Sequence, residues 1–99
     1  MIHIKIKRNK EGRIRAFTAR NHGVSEVCAA VSVLVINTVN SIEALTDERF
    51  TCAYEEEGGY IRFKLVNEPG KDASLLLEAM ALGLRSVKER YEDEITLTE

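Results

Sequence analysis

The stretch Ser25–Leu45 limits the fold of this chain more than any other segment. Val24, Val27, Val31, Val35, Val39, Ile42 and Leu45 recur at spacings of three and four, the period of a helix with one buried face. The β-branched run Val31–Ile36 reads locally as strand, but the spacing persists far beyond the length of a strand and predicts one long helix. Ala29, Ala30, Leu34 and Ile36 widen its apolar surface. Such a helix is expected to be covered on two sides, by a sheet and by a second helix or a partner chain. Asn37, Asn40 and Glu43 mark its solvated stripe. Ser25 is the expected N-cap, which puts Cys28 at the third helical position.

The flanking segments supply the sheet. Ile2, Ile4 and Ile6 alternate with His3, Lys5 and Lys7, the pattern of a strand with one face buried. Asn9-Lys10-Glu11-Gly12 is a turn. Ile14, Ala16 and Thr18 then alternate with Arg13, Arg15 and Phe17, completing a hairpin with the first set facing inward. Phe50–Glu55 and Gly59–Leu65 form a second hairpin around Glu56–Gly59. After the loop around Pro69, Asp72 is the expected cap of a second helix. Its face is Leu76, Met80, Leu84, Val87 and Tyr91, with Leu75, Leu77 and Ala79 beside it. Gly83 in mid-helix predicts close approach to another backbone. Ile95 and Leu97 alternate with Thr96 and Thr98, a possible short C-terminal strand. The order ββαββα predicts an α+β two-layer sandwich, a four-stranded sheet packed with two helices in a single domain, 1–99.

Composition narrows the function. The chain has 99 residues, 44% of them apolar and 30% charged, a soluble globular balance able to bury one core. Met1–Lys10 alternates too quickly for a signal peptide, and the run Cys28–Ile36 is too short and interrupted for a membrane span. A cytoplasmic location and no membrane partner are expected. Residues 1–22 carry seven basic side chains against one acidic, a net +6, and the remainder seven against fifteen, a net −8. The favoured reading of this asymmetry sets Lys5, Lys7, Arg13 and Arg15 across a sheet from Glu55, Glu56 and Glu57. Direct nucleic-acid binding is then unlikely, since Phe17 is the one aromatic in the basic stretch.

Two cysteines, Cys28 and Cys52, make no disulfide framework. With only His3 and His22 beside them, no metal site or cofactor is predicted. Cys52 alternates with Phe50 and Tyr54 and reads as packing. Cys28 is different. It falls at the start of the long helix, where unpaired backbone N–H groups favour a thiolate, six residues after His22 in the turn Asn21-His22-Gly23. A histidine at that distance can raise the thiolate population and protonate a leaving amine. Ser32, one turn further on, is a possible supporting group, or it bonds back to its own helix. Ser25 and Gly23 are further possible supporting residues.

The segment Val27-Cys28-Ala29-Ala30-Val31-Ser32, preceded by His22 at the end of a second strand, resembles the ribosomal-processing cysteine protease (Prp) family. The resemblance continues through Thr38–Glu43, Glu57–Phe63 and Leu75–Leu84. It implies the ββαββα order, a homodimer, and a peptide-bond hydrolase with Cys28 as nucleophile and His22 as general base. The implied substrate is a ribosomal protein precursor, a large-subunit protein made with an N-terminal extension. Two departures accompany it: Asn21-His22-Gly23 stands where the family has Gly-His-Ala, and the His22–Cys28 connection is shorter than the family loop. The alternative reading is a non-catalytic ribosome-associated binding module of the same fold.

Overall fold

The computed structural model describes residues 1–20, 25–55 and 59–99, with Ser25 described by its backbone alone. Strands β1 (Ile2–Arg8) and β2 (Ile14–Arg20) precede helix α1 (Ser25–Leu45); β3 (Phe50–Glu55) and β4 (Tyr60–Leu65) precede α2 (Lys71–Arg90); β5 (Ile95–Thr98) ends the order. The sheet runs β3-β4-β2-β1-β5. Among the described residues it therefore has five strands rather than four, the possible C-terminal strand being the fifth. The C-terminal alternation pairs in parallel with β1, Ile2 beside Ile95 and Ile4 beside Leu97, and the other pairs are antiparallel.

Both hairpins form, but the first changes face part-way. Lys7 lies opposite Ala16 and Arg8 opposite Ile14, so Arg15 is an extra residue in β2, a β-bulge. The bulge reverses the alternation. Ile14, Phe17 and Ala19 are buried, while Ala16 and Thr18 turn to the outer face. The predicted inward set Ile14, Ala16 and Thr18 is correct only before the bulge. Phe17 instead stacks on Phe63 of β4, ring centroids 5.0 Å apart.

Helix α1 is the element on which the core is assembled. Val27, Val31, Val35, Val39 and Ile42 are buried beside Ile2, Ile4, Phe63 and Leu84, as the spacing predicts. Leu45 falls outside this stripe and is exposed, and Val24 lies outside the described residues. Asn37, Asn40 and Glu43 are exposed, as expected. Over Glu26–Leu45 the helix is long and apolar enough to cross a membrane by length and composition, which the shorter run Cys28–Ile36 does not convey. Here Val27, Val31, Val35 and Val39 are the inner layer of a folded sandwich.

In α2 the buried residues are Ala73, Leu77, Met80, Ala81 and Leu84. The face is rotated from the predicted one: Leu75 and Ala79 are exposed, and Leu76, Val87 and Tyr91 are partly buried at its margin. Asp72 is not the cap. Gly70 occupies that position without a side-chain hydrogen bond, and its N–H donates to Glu48 Oε1 at 2.7 Å. Gly83 marks a close approach, but to a side chain rather than a backbone. A Cβ there would lie 2.8 Å from Leu34 Cδ2 of α1. Arg8 of β1 donates to Glu78 at 2.6 Å and to Glu99 at 2.8 Å. Glu99 also accepts from Arg85, so one ionic cluster joins both ends of the sequence to α2.

The predicted charge pairing is not the one that forms. Strands β4 and β2 separate β1 from β3, so Lys5 and Lys7 do not face Glu55; Glu56 and Glu57 lie outside the described residues. Arg15 pairs with Glu68 at 2.6 Å instead, and Arg13 donates to the Pro69 carbonyl.

Candidate active site

Cys28 is the fourth residue of α1 as the helix is described, one position deeper than an N-cap at Ser25 implies. It is half-buried, its side chain packed on the core beside Val27 and Val31. It lines a groove of about 260 Å³ between the first half of α1, the end of β2 and the β3–β4 hairpin. Ser32 and Ile36 lie along the same wall, one and two turns further on. Ala19 and Arg20 from β2 and Tyr54, Gly59 and Ile61 from the hairpin complete it.

Local sequence explains this assembly. Ala19 and Ile61 are register partners on adjacent strands, and Ile61 is also the partner of Tyr54. One row across three strands therefore lines the groove together with Cys28. Gly59, with φ of 56°, adopts the left-handed conformation that a hairpin turn favours. Most of the lining is hydrocarbon, with the thiol, the Ser32 hydroxyl and the Tyr54 phenol as its polar side chains; Arg20 borders the groove from the end of β2 with its side chain on the outer side of the sheet.

The structure thus brings together Cys28 and Ser32. Thr38, Thr46 and Ser86 each return a hydroxyl hydrogen bond to the carbonyl four residues earlier. Ser32 makes no such bond among the described residues, which leaves its hydroxyl available to the groove. His22 and Gly23 lie outside the described residues, as does the side chain of Ser25. In sequence His22 falls between Arg20 and Cys28, both of which line the groove. Arg20, Tyr54, Gly59 and Ile61 were missed in the sequence reading. Tyr54 was legible only through the register of β3 on β4, which places it beside Ile61.

Cys52 lies on the helix-facing side of β3, as its alternation with Phe50 and Tyr54 predicts, but it is exposed. It stands exposed on an edge strand, so its packing role fails. Its neighbours still desolvate the sulfur enough to push the thiol upward. Among the described residues there is no group of three His, Cys, Asp or Glu side chains able to hold a metal ion.

The model of the family described as cysteine protease Prp matches residues 1–96. The chain belongs to this family. The ribosomal processing cysteine protease Prp of Staphylococcus aureus is 31% identical over 103 residues, covering 98% of this chain and 97% of its own. That of Bacillus subtilis is 30% identical over 108 residues, covering 99% and 96%. The crystal structure of the Staphylococcus aureus protease Prp with a covalently linked product peptide has a TM-score of 0.93. It shares 32% identity with this chain, across 99% of this chain and 98% of that one. The α+β sandwich is therefore the Prp fold, and the chain is a cysteine protease, the first of the two readings of the sequence.

Proposed function

We propose that Cys28 is the nucleophile and His22 the general base of a peptidase that removes the N-terminal extension of a large-subunit ribosomal protein during ribosome maturation. The observation that carries the assignment is the position of Cys28. It is the cysteine in the first turns of a helix, in a groove that a peptide can enter, whereas Cys52 sits on an edge strand outside it. The relatives supply the substrate, because they are ribosomal processing proteases and one holds a product peptide covalently.

The reaction follows from these groups. His22 takes the thiol proton, and the Cys28 thiolate adds to the scissile carbonyl. The carbon–nitrogen bond breaks as His22 returns that proton to the departing amine, leaving a thioester on Cys28. Water, deprotonated by His22, then hydrolyses the thioester and frees the enzyme. Ser32 donates to groups bound in the groove. Ile36, Tyr54 and Ile61 accept an apolar side chain of the substrate. The whole chain, 1–99, acts as one catalytic domain in the cytoplasm.

The active form is a homodimer. Its support is an apolar flank of α1 left open beside the groove: Ala29 and Val33, one turn apart, are exposed, Val33 at 67%. A partner chain seated there supplies the outer cover that the breadth of the apolar surface of α1 calls for.

The test is cleavage of the precursor protein, followed by mass spectrometry. Cys28→Ala and His22→Ala should each abolish processing while keeping the wild-type circular dichroism spectrum. Wild-type cleavage by either folded variant would overturn its assignment. Sedimentation equilibrium tests the dimer. Val33→Glu should shift the chain to monomer, and an unchanged dimer would place the interface elsewhere.

A further inference from the structure

The face of the sheet turned away from the helices carries a second feature. His3, Lys5 and Lys7 of β1 point outward, as do Ala16, Thr18 and Arg20 of β2 and Arg62 and Lys64 of β4. The register sets Lys5, Thr18 and Arg62 in one row, and Lys7, Ala16 and Lys64 in the next. The result is two cationic rails over a floor of small side chains. With strands about 4.8 Å apart and alternate residues about 7 Å apart, the rails are roughly 10 Å apart. They border a shallow trough of about 710 Å³.

Lys5, Lys7, Arg62 and Lys64 are exposed. The ion pairs among the described residues use Arg8, Arg15 and Arg85 and leave these four out. The sole acidic residue on the outer side of the described strands of this sheet is Glu55, beside Tyr60 at the far edge. Four cations with no ion-pair partner among the described residues, each within about one Debye length of its neighbours, add their fields rather than screening one another. Along each rail like charges stand about 7 Å apart on the same side of one strand, so a bound polyanion relieves a repulsion built into the sheet.

We infer that this outer face binds the phosphodiester backbone of an RNA strand. An acidic protein surface fits less well, because a protein interface is centred on apolar anchors. The centre of this face offers only Ala16 and Thr18. An RNA backbone requires charge and a flat track, and both are present. Phe17 and Phe63 are buried on the opposite side, so no row of aromatics is available to stack bases, and binding is independent of sequence. The sequence expectation against nucleic acid rested on acidic partners for Lys5 and Lys7 and on the lack of stacking aromatics; Glu55 is not such a partner, and contact with the phosphate backbone needs no aromatics.

The inference stands on the sheet face alone, on the side opposite the Cys28 groove, so it survives or fails separately from the assignment of the protease. Fluorescence anisotropy with a short labelled single-stranded RNA of mixed sequence provides the test. Four phosphate contacts predict a slope of about −3 for log Kobs against log salt, or roughly a 50-fold loss of affinity between 50 and 200 mM. A variant combining Lys5→Gln, Lys7→Gln, Arg62→Gln and Lys64→Gln should flatten that slope while cleaving a short peptide at the wild-type rate. Lys71→Gln with Lys88→Gln, on the helix layer, should leave RNA binding unchanged. Absence of binding by the wild type, or a slope indifferent to the four substitutions, would overturn the inference. Polyglutamate binding as tightly as RNA would overturn it in favour of an acidic protein partner.

Discussion

Gly83→Ala tests the contact that seats the Cys28 helix on its neighbour. In an isolated helix the change should stabilise by about 1 kcal/mol. Here the new methyl would lie 2.8 Å from Leu34 Cδ2 and 3.2 Å from Cδ1, with Cγ at 3.6 Å. Because both methyls are too close, a rotation about χ2 alone exchanges one clash for the other. Leu34 must leave its χ1 well or the helices must separate. An off-rotamer side chain costs about 0.5–1.5 kcal/mol and overpacking about 1–3 kcal/mol. The clash outweighs the propensity gain, and the net effect is about 1 kcal/mol of destabilisation.

A double-mutant cycle with Leu34→Ala isolates the cause. Once Leu34 is shortened the clash is gone, and Gly83→Ala should stabilise by about 1 kcal/mol, a coupling of about 2 kcal/mol. The chain contains no tryptophan, so urea unfolding is followed by far-ultraviolet circular dichroism. For a domain of this size each 1 kcal/mol also shifts Tm by about 4–8 °C. If Gly83→Ala stabilises both backgrounds equally, the two helices are not in contact through Leu34 and the reasoning fails.

Two further outcomes follow from the ionic cluster and the second cysteine. Arg85, then Arg8, hold the Glu99 carboxyl down at about 2, against 4.5 when unpaired. Its contribution to stability is therefore complete above pH 4.5 and is lost as the pH falls toward 2. Solvent screening of these exposed groups keeps the contribution well below what the shift alone would give. Glu99→Gln should remove that part of the acid limb in urea titrations between pH 2 and 6, and an unchanged limb would show that the cluster is energetically silent. Cys52→Ser should alter stability by less than about 0.5 kcal/mol and leave precursor cleavage unchanged. Lost cleavage would move part of the chemistry to β3.

Most of the architecture was legible because two periods dominate the sequence. Val27, Val31, Val35, Val39 and Ile42 keep helical spacing over about four turns, and the isoleucines of β1 keep the spacing of a strand. What remained hidden depends on contacts between elements. Nothing local shows that Arg15 bulges out of β2. The reversal is settled by Phe17, whose burial against Phe63 is worth more than that of Thr18. The buried face of α2 was misplaced for a similar reason. Leucines occupy most of its circumference, and only the position of the sheet decides that Leu77 goes inside while Leu75 does not. Strand order was equally out of reach, and with it the ionic partners of the basic hairpin.

The site divides in the same way. Cys28 was legible because helix-start chemistry is local, and Ser32 because it lies one turn further along the same helix. Tyr54 and Ile61 enter the groove through the pairing of the β3–β4 hairpin with β2, far from it in sequence, so no spacing rule reaches them. The bulge at Arg15 connects this to the outer surface. Without it β2 would send Ala16 and Thr18 inward and Phe17 outward. The aromatic core beneath α1 would then lose its central ring, and a phenylalanine would stand in the middle of the basic trough. A single extra residue thus sorts one strand into two surfaces, an apolar one that supports the cysteine and a small-residue one that keeps the cationic rails clear.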